Sequence, residues 1–210
     1  YFVEQNGSGT YPADFNVDVI KSADGITWGS IQRNIISSQQ TGRTFNYNLM
    51  ELKVGDTYKA WHSATDDWMI AWTKLYYSTS TDGVTYTTQG VVLDYGPSGQ
   101  YDSRNIDNPH VLFDGTTYRL YYDAIAGTSN NWSATRIAYA TSPDGVNWTK
   151  HGVVVDIGSE GSFDSGRASN PTVIYDGSVY EMFYSASDGT TASTGYAVST
   201  RYSCSSDSSV

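Results

Sequence analysis

Three short polar stretches each carry an arginine and an asparagine just before an apolar run: Arg43-Thr-Phe-Asn-Tyr-Asn48, Arg104-Asn-Ile-Asp-Asn108-Pro109 and Arg167-Ala-Ser-Asn170-Pro171. Two of them follow an Asp-Ser pair, Asp102-Ser103 and Asp164-Ser165. Guanidinium, amide and carboxylate groups that converge hydrogen-bond sugar hydroxyls, and a guanidinium also clamps a carboxylate. The same residues have a plainer use, since Asn before Pro and Asp-Ser pairs cap loops and Arg pairs with Asp. Capping suits Asn170 and Asp164, and a binding role suits Arg104 with Asp107. Asp107 is the one carboxylate directly beside an Asn-Pro position. Glycoside hydrolysis uses two carboxyl groups, one as acid and one as base or nucleophile. Glu51 is the candidate second carboxylate, although it aligns with Val111 and Val173, on a face that alternation turns towards a packed neighbour.

Aromatic residues crowd the same connections, among them Phe45, Tyr47, Trp68, Trp72, Tyr95, Trp132 and Phe163. They are either stacking platforms for pyranose rings, Trp132 foremost, or anchors for the loops that carry them. His62, His110 and His151 lack metal-ligand spacing, so no metal site is expected. No cofactor is expected either, calcium being allowed but not required.

The elements that position these residues are short strands. Between Asn108 and Asp156 lie four apolar-alternating runs, with Asp114-Gly115 and Asp144-Gly145 between consecutive members. Asp-Gly favours a tight two-residue hairpin with positive φ at both positions, so the unit reads as a meander of strands a, b, c and d. Asn170-Pro171…Asp176-Gly177…Tyr180 repeats Asn108-Pro109…Asp114-Gly115…Tyr118, and Asn48…Gly55-Asp56-Thr57-Tyr58 repeats it again. A c–d signature recurs as Ser22-Ala-Asp-Gly-Ile-Thr-Trp28, Ser80-Thr-Asp-Gly-Val-Thr-Tyr86 and Ser142-Pro-Asp-Gly-Val-Asn-Trp148. Such repetition predicts an all-β chain, a β-propeller of four-stranded antiparallel blades.

The repeats divide the chain into blades at about 1–37, 38–98, 99–160 and 161–202, with a Ser-rich tail at 203–210. The first blade opens in strand b, so about three and a half blades are legible. Trp28 and Trp148 hold a fixed place after the c–d turn and are assigned to packing between repeats. An open ring leaves blade faces bare, so a longer polypeptide, another chain or the tail is expected to complete it, the first being favoured. The Asp-Gly turns lie on one face of such a ring. All the long connections lie on the other, where binding sites usually form.

Composition narrows the partners. The formal net charge of −10 over 210 residues disfavours nucleic acid and anionic membranes, both polyanions. No apolar run reaches the roughly 20 residues of a membrane helix. Cys204 stands alone, which excludes an internal disulfide framework. Sparse Lys and the Asn-x-Ser/Thr triplets at Asn6, Asn131 and Asn147 lean towards a secreted, extracellular protein.

The composite pattern Asp-Ser…Asn-Pro-x-Val…Asp-Gly-x-x-Tyr…Tyr-x-Ala…Ala-x-Ser-x-Asp-Gly-x-x-Trp…Gly-x-Val-Val resembles the five-bladed propellers of glycoside hydrolase families 43 and 32 and their relatives. The resemblance covers most of residues 1–200 and implies a five-bladed ring with an oligo- or polysaccharide in its central funnel. In those families an Asp base or nucleophile, a further Asp and a Glu acid begin strand a of three successive blades. The matching positions here are Asn48, Asn108 and Asn170, and an amide does not exchange a proton as a carboxylate does. Asp107 is one residue off, pointing elsewhere unless the strand bulges. Two functions follow: a glycosidase-like protein, or a non-catalytic glycan-binding or assembly module.

Overall fold

The computed structural model describes residues 2–6, 14–67, 72–127 and 134–199. Its strands pair antiparallel with their neighbours in sequence and group into four blades. Blade 1 holds β1 (Phe2–Asn6), β2 (Asp14–Val19) and β3 (Gln32–Ile36). Blade 2 holds β4 (Phe45–Val54), β5 (Thr57–Thr65), β6 (Lys74–Ser80) and β7 (Thr87–Leu93). Blade 3 holds β8 (Asn105–Phe113), β9 (Tyr118–Ile125), β10 (Arg136–Ser142) and β11 (Thr149–Val155). Blade 4 holds β12 (Arg167–Tyr175), β13 (Tyr180–Ser187) and β14 (Ala192–Val198). One parallel pair, Phe15 with Phe45, joins the first two blades. A four-residue helix, α1 (Ser38–Thr41), sits in the β3–β4 connection, where the sequence predicts loop. Its Gln40 side chain accepts from the Ser37 N–H at 2.8 Å and donates to the Tyr86 carbonyl at 2.8 Å, tying the connection to blade 2.

The Asp-Gly turns are present, but not in the form predicted. Positive φ belongs to Gly115 and Gly145 (97° and 82°) and not to the aspartates before them. The aspartates serve as caps instead. Asp144 Oδ1 accepts the N–H groups of Val146 and Asn147, both at 2.8 Å, while Ser142 Oγ accepts that of Gly145 at 2.8 Å. Ser22 with Asp24 and Ser80 with Asp82 repeat the arrangement. Backbone N–H groups, led by those of Thr27, Thr85 and Asn147, hold these carboxyls well below the usual range.

Three apolar clusters fill the three junctions between blades. Val17, Val19, Ile35 and Ile36 meet Ala60 and Tyr86 at the first. Trp61, Leu75 and Tyr77 meet Val111, Leu120 and Tyr118 at the second. Tyr121 and Ile137 meet Val173, Met182 and Tyr184 at the third. Each fully buried large side chain is worth about 1.5–3 kcal/mol, so these junctions hold the stack together. Main-chain bonds reinforce them: the Ile106 N–H reaches the Thr73 carbonyl at 3.1 Å, and the Ala168 N–H reaches that of Thr135 at 3.0 Å.

The c–d turns of blades 2 and 3 also lean on the blade before them. Trp61 Nε1 donates to the Gly145 carbonyl at 2.7 Å, and Trp148 stands edge-on to Trp61 at 6.4 Å. A Cβ on Gly145 would lie 2.8 Å from the Trp61 ring, so this approach requires glycine. Trp28 departs from its predicted packing and is 56% exposed. The reason is geometric: a c–d turn packs on the preceding blade, and no blade precedes blade 1 among the described residues.

Candidate functional site

Strands β4, β8 and β12 break register at equivalent places, between Tyr47 and Met50, Asp107 and His110, and Ser169 and Thr172. At each break an asparagine takes the left-handed conformation: Asn48 at φ 49°, Asn108 at 47° and Asn170 at 54°. That region costs most L-residues about 1–2 kcal/mol, and Asn tolerates it best after Gly. The proline after Asn108 and Asn170 suits a bulge, where no ladder N–H is needed. The three asparagines are thus backbone pivots. The bulge also reorients the residue before each, and here the sequence's proviso about Asp107 is met.

Asp107 accepts three hydrogen bonds on Oδ1: from Ser63 Oγ at 2.5 Å, Asn48 Nδ2 at 3.1 Å and its own neighbour's N–H, Asn108, at 2.7 Å. Directly across the β8–β9 pair stands Asp123. Its Oδ2 accepts from Asn108 Nδ2 at 2.7 Å and its Oδ1 from the Asn170 N–H at 2.8 Å. One run of hydrogen bonds therefore links Asn48, Asp107, Asn108, Asp123 and Asn170, joining the pivots of three blades. Both carboxyls are buried. Burial raises Asp107 above the ordinary carboxylate value, against the donors Ser63 and Asn48. Burial first, and then the charge of Asp107, lift Asp123 further, with Arg167 opposing. Two facing carboxyls in such a setting do not both ionise readily.

Asp123 escaped the sequence reading, and its signal was small. The strand-b motif runs Trp61-His-Ser63-Ala, Tyr121-Tyr-Asp123-Ala and Phe183-Tyr-Ser185-Ala, with a carboxylate in one blade only. Glu51, the predicted second carboxylate, lies three residues beyond its bulge, level with Val111 and Val173 in the other blades' cores. Asp123, not Glu51, faces Asp107.

The three arginines do not form a matching set. Counted from the pivot asparagine they stand five, four and three residues earlier, so strand alternation turns them differently. Arg43 pairs with Asp66 and donates to Tyr76 Oη at 2.7 Å. Arg104 is buried, its guanidinium 5.9 Å from the Trp72 ring centre. Arg167 is half-buried and acts electrostatically on Asp123. In the Asp-Ser pairs only Ser103 caps backbone, accepting the Gly127 N–H at 3.2 Å, whereas Asp102 binds Lys150 Nζ at 2.5 Å and Asp164 accepts from Ser162 Oγ at 2.9 Å and Tyr184 Oη at 3.1 Å.

A cleft of about 420 Å³ opens on the long-loop side of blade 2, lined by Arg43, Asp66, Asp67, Trp72, Lys74 and Tyr95 among others. Trp72 is exposed, lies edge-on to Tyr95 at 5.6 Å and has φ 59°. A bulky residue held at positive φ is strained by about 1–3 kcal/mol, and such strain concentrates at functional positions. The next residue, Thr73, bonds to Tyr47 Oη at 2.8 Å, and burial with the Asp107 charge pushes that phenol well up. The cleft wall and the carboxyl network are therefore neighbours. Phe45 and Tyr47 are buried anchors, while Trp68 and Trp132 lie outside the described residues. Among the described residues no group of three or more His, Cys, Asp or Glu is placed to hold a metal ion.

No family model matches the sequence. An uncharacterised protein of Mycobacterium tuberculosis is 37% identical over 87 residues, 40% of this chain and 28% of the relative. A family 117 glycoside hydrolase of the marine bacterium Zobellia galactanivorans superposes with a TM-score of 0.66 at 19% identity, over 73% of this chain and 52% of its own. The family 32 β-fructofuranosidase of Bombyx mori gives 0.66 at 17% identity, over 93% of this chain and 42% of its own. The fold is that of the five-bladed glycoside-hydrolase propellers. The chain spans about half the length of these propellers, and at this identity the likeness establishes the fold alone.

Proposed function

We propose that the protein is a carbohydrate-active propeller that takes a glycan on its long-loop face, against the cleft around Trp72. Trp72 itself carries the reading: an exposed indole at positive φ, edge-on to Tyr95 and beside the Arg104 guanidinium. Pyranose C–H faces stack on such a surface, and Arg43, Asp66 and Lys74 offer donors and acceptors to hydroxyls. The similar solved structures, glycoside hydrolases among them, support the ligand class. An extracellular setting goes with this reading. Titration with soluble plant and microbial oligosaccharides, followed by tryptophan fluorescence, is expected to saturate, and Trp72→Ala to abolish the response with the fold intact by circular dichroism. A silent panel, or an unchanged response in the variant, removes the proposal.

Hydrolysis is the second reading, favoured by the facing carboxyls Asp107 and Asp123, which suit one protonated and one ionised partner. Release of reducing ends that disappears in both Asp107→Asn and Asp123→Asn would support it. Saturable binding without any release leaves the binding function alone.

A further inference from the structure

Trp72 keeps a backbone conformation that a bulky residue does not hold unaided, so an adjacent group must fix it. Its neighbour Thr73 is fully buried. The Thr73 N–H donates to Asn105 Oδ1 at 3.3 Å, and the Thr73 carbonyl accepts the Ile106 N–H at 3.1 Å. The hydroxyls of Thr73 and Tyr47 are hydrogen-bonded at 2.8 Å. Tyr47, Asn105 and Ile106 are buried in turn. Thr73 is therefore tied through all three of its polar groups, to β4 of its own blade and to β8 of the next. Tyr47 also precedes the Asn48 pivot, so the bulge of β4 sets where its hydroxyl goes.

The next junction shows that these ties are more than ordinary blade packing. Thr135 holds the place of Thr73, is also buried, and accepts the Ala168 N–H at 3.0 Å as Thr73 accepts that of Ile106. The residues that make the other two ties differ there: Asp107 stands at the Tyr47 position and Arg167 at that of Asn105. Before Thr135 comes Ala134, whose φ is not positive. The main-chain tie is common to both junctions, whereas the phenol, the amide and the left-handed indole occur together at one.

We propose that Tyr47, acting through Thr73, and Asn105 are positioning residues that preset Trp72 for its ligand. None of the three lines the cleft, so they act on the ligand only through the indole. What Trp72 does with a ligand rests on the glycan reading above; how it is held does not. A ring already in place spares the ligand the cost of ordering it, so loosening the latch weakens binding without removing a contact.

Fluorotryptophan labelling gives a fluorine NMR line for Trp72, assigned as the one absent from Trp72→Phe. Tyr47→Phe and Thr73→Val each remove one hydroxyl at nearly constant shape and are expected to shift or split that line. Thr73→Ser keeps the hydroxyl and is expected to leave it in place. Tyr122→Phe removes another buried hydroxyl contact of the same junction, to Tyr101 at 3.3 Å, and should not move it. With the oligosaccharide that saturates the wild type, Tyr47→Phe and Thr73→Val are expected to bind about tenfold more weakly, the worth of one hydrogen bond. Thr73→Ser and Tyr122→Phe should bind as the wild type does. Far-ultraviolet dichroism confirms the fold, and either hydroxyl variant suffices should the other not fold. A Trp72 line unmoved by the loss of either hydroxyl overturns the proposal, as does one that moves equally in Tyr122→Phe or in Thr73→Ser. So does unchanged affinity in a variant whose line has moved. A wild type that binds no oligosaccharide removes the glycan reading instead, and the fluorine line still decides how Trp72 is held.

Discussion

Blades 3 and 4 share strand length, the left-handed pivot asparagine, the Asn-Pro step and an aromatic pair across strands b and c, yet differ at one facing position. Blade 3 has Asp107 opposite Asp123, and blade 4 has Ser169 opposite Ser185. The carboxyls stand where a blade has neighbours on both sides to donate to them: Ser63 and Asn48 from blade 2, and the Asn170 N–H from blade 4. Ser185, on the open side of blade 4, is exposed. A buried charge is tolerable only with such donors, and the two flanking blades supply them to Asp107 and Asp123.

The sharpest test of that contrast is in the core. Trp61→Ala, at a filled junction, is expected to lower unfolding stability by about 3–5 kcal/mol in denaturant titrations. Phe183→Ala, the same position in blade 4 but 43% exposed, should stay within about 0.5 kcal/mol. Equal losses would break the comparison. At the facing pair, Ser63→Ala withdraws a donor from buried Asp107 and is expected to cost about 1–3 kcal/mol, against no more than about 0.5 kcal/mol for Ser185→Ala.

The pivots come next. Asn170→Gly keeps the left-handed backbone and should change stability by only a few tenths of a kcal/mol, whereas Asn170→Ala should cost about 1–2 kcal/mol. Asn108→Gly keeps the backbone but forfeits the 2.7 Å bond to Asp123, so it should cost more than Asn170→Gly. Smallest is Arg43→Gln, about 0–1 kcal/mol, since its partner Asp66 is half exposed and solvent screens the pair.

A pH series separates two populations of aspartate. Asp107 and Asp123 are raised by burial, so the folded protein keeps protons that the unfolded chain has lost. Their contribution is fully present below the unfolded value near 3.8 and is lost as pH climbs through the raised values. Asp24, Asp82 and Asp144 are lowered, so their contribution is present above that value and is lost as pH falls. His62 is fully buried and held down to about 3, so it too costs stability as pH falls below 6.5. Thermal midpoints of Asp123→Asn are expected to fall less on going from pH 4 towards neutrality than those of the wild type.

Much of this was legible in the sequence. Asp-Gly and the Ser-x-Asp-Gly-x-x-aromatic repeat marked the strands and blades, because turn chemistry and alternation are local. The bulges were not, since Asn-Pro reads equally well as a loop cap and the left-handed pivot becomes visible only when the register breaks. Asp123 hid inside a packing motif, its importance resting on a facing residue 16 positions away. The arginines misled because a shift of one or two residues along a strand turns a side chain to another face or another neighbour.

Every strand within a blade pairs with one adjacent in sequence, and each c–d turn is capped by its own serine and aspartate. Such contacts close short loops, which form fast compared with pairings between distant segments. During synthesis a blade can therefore assemble as soon as it clears the ribosome, and the junctions follow one at a time from the amino-terminal side. Docking of finished blades is therefore expected to be slower than their formation, with the apolar junction faces exposed in the interval.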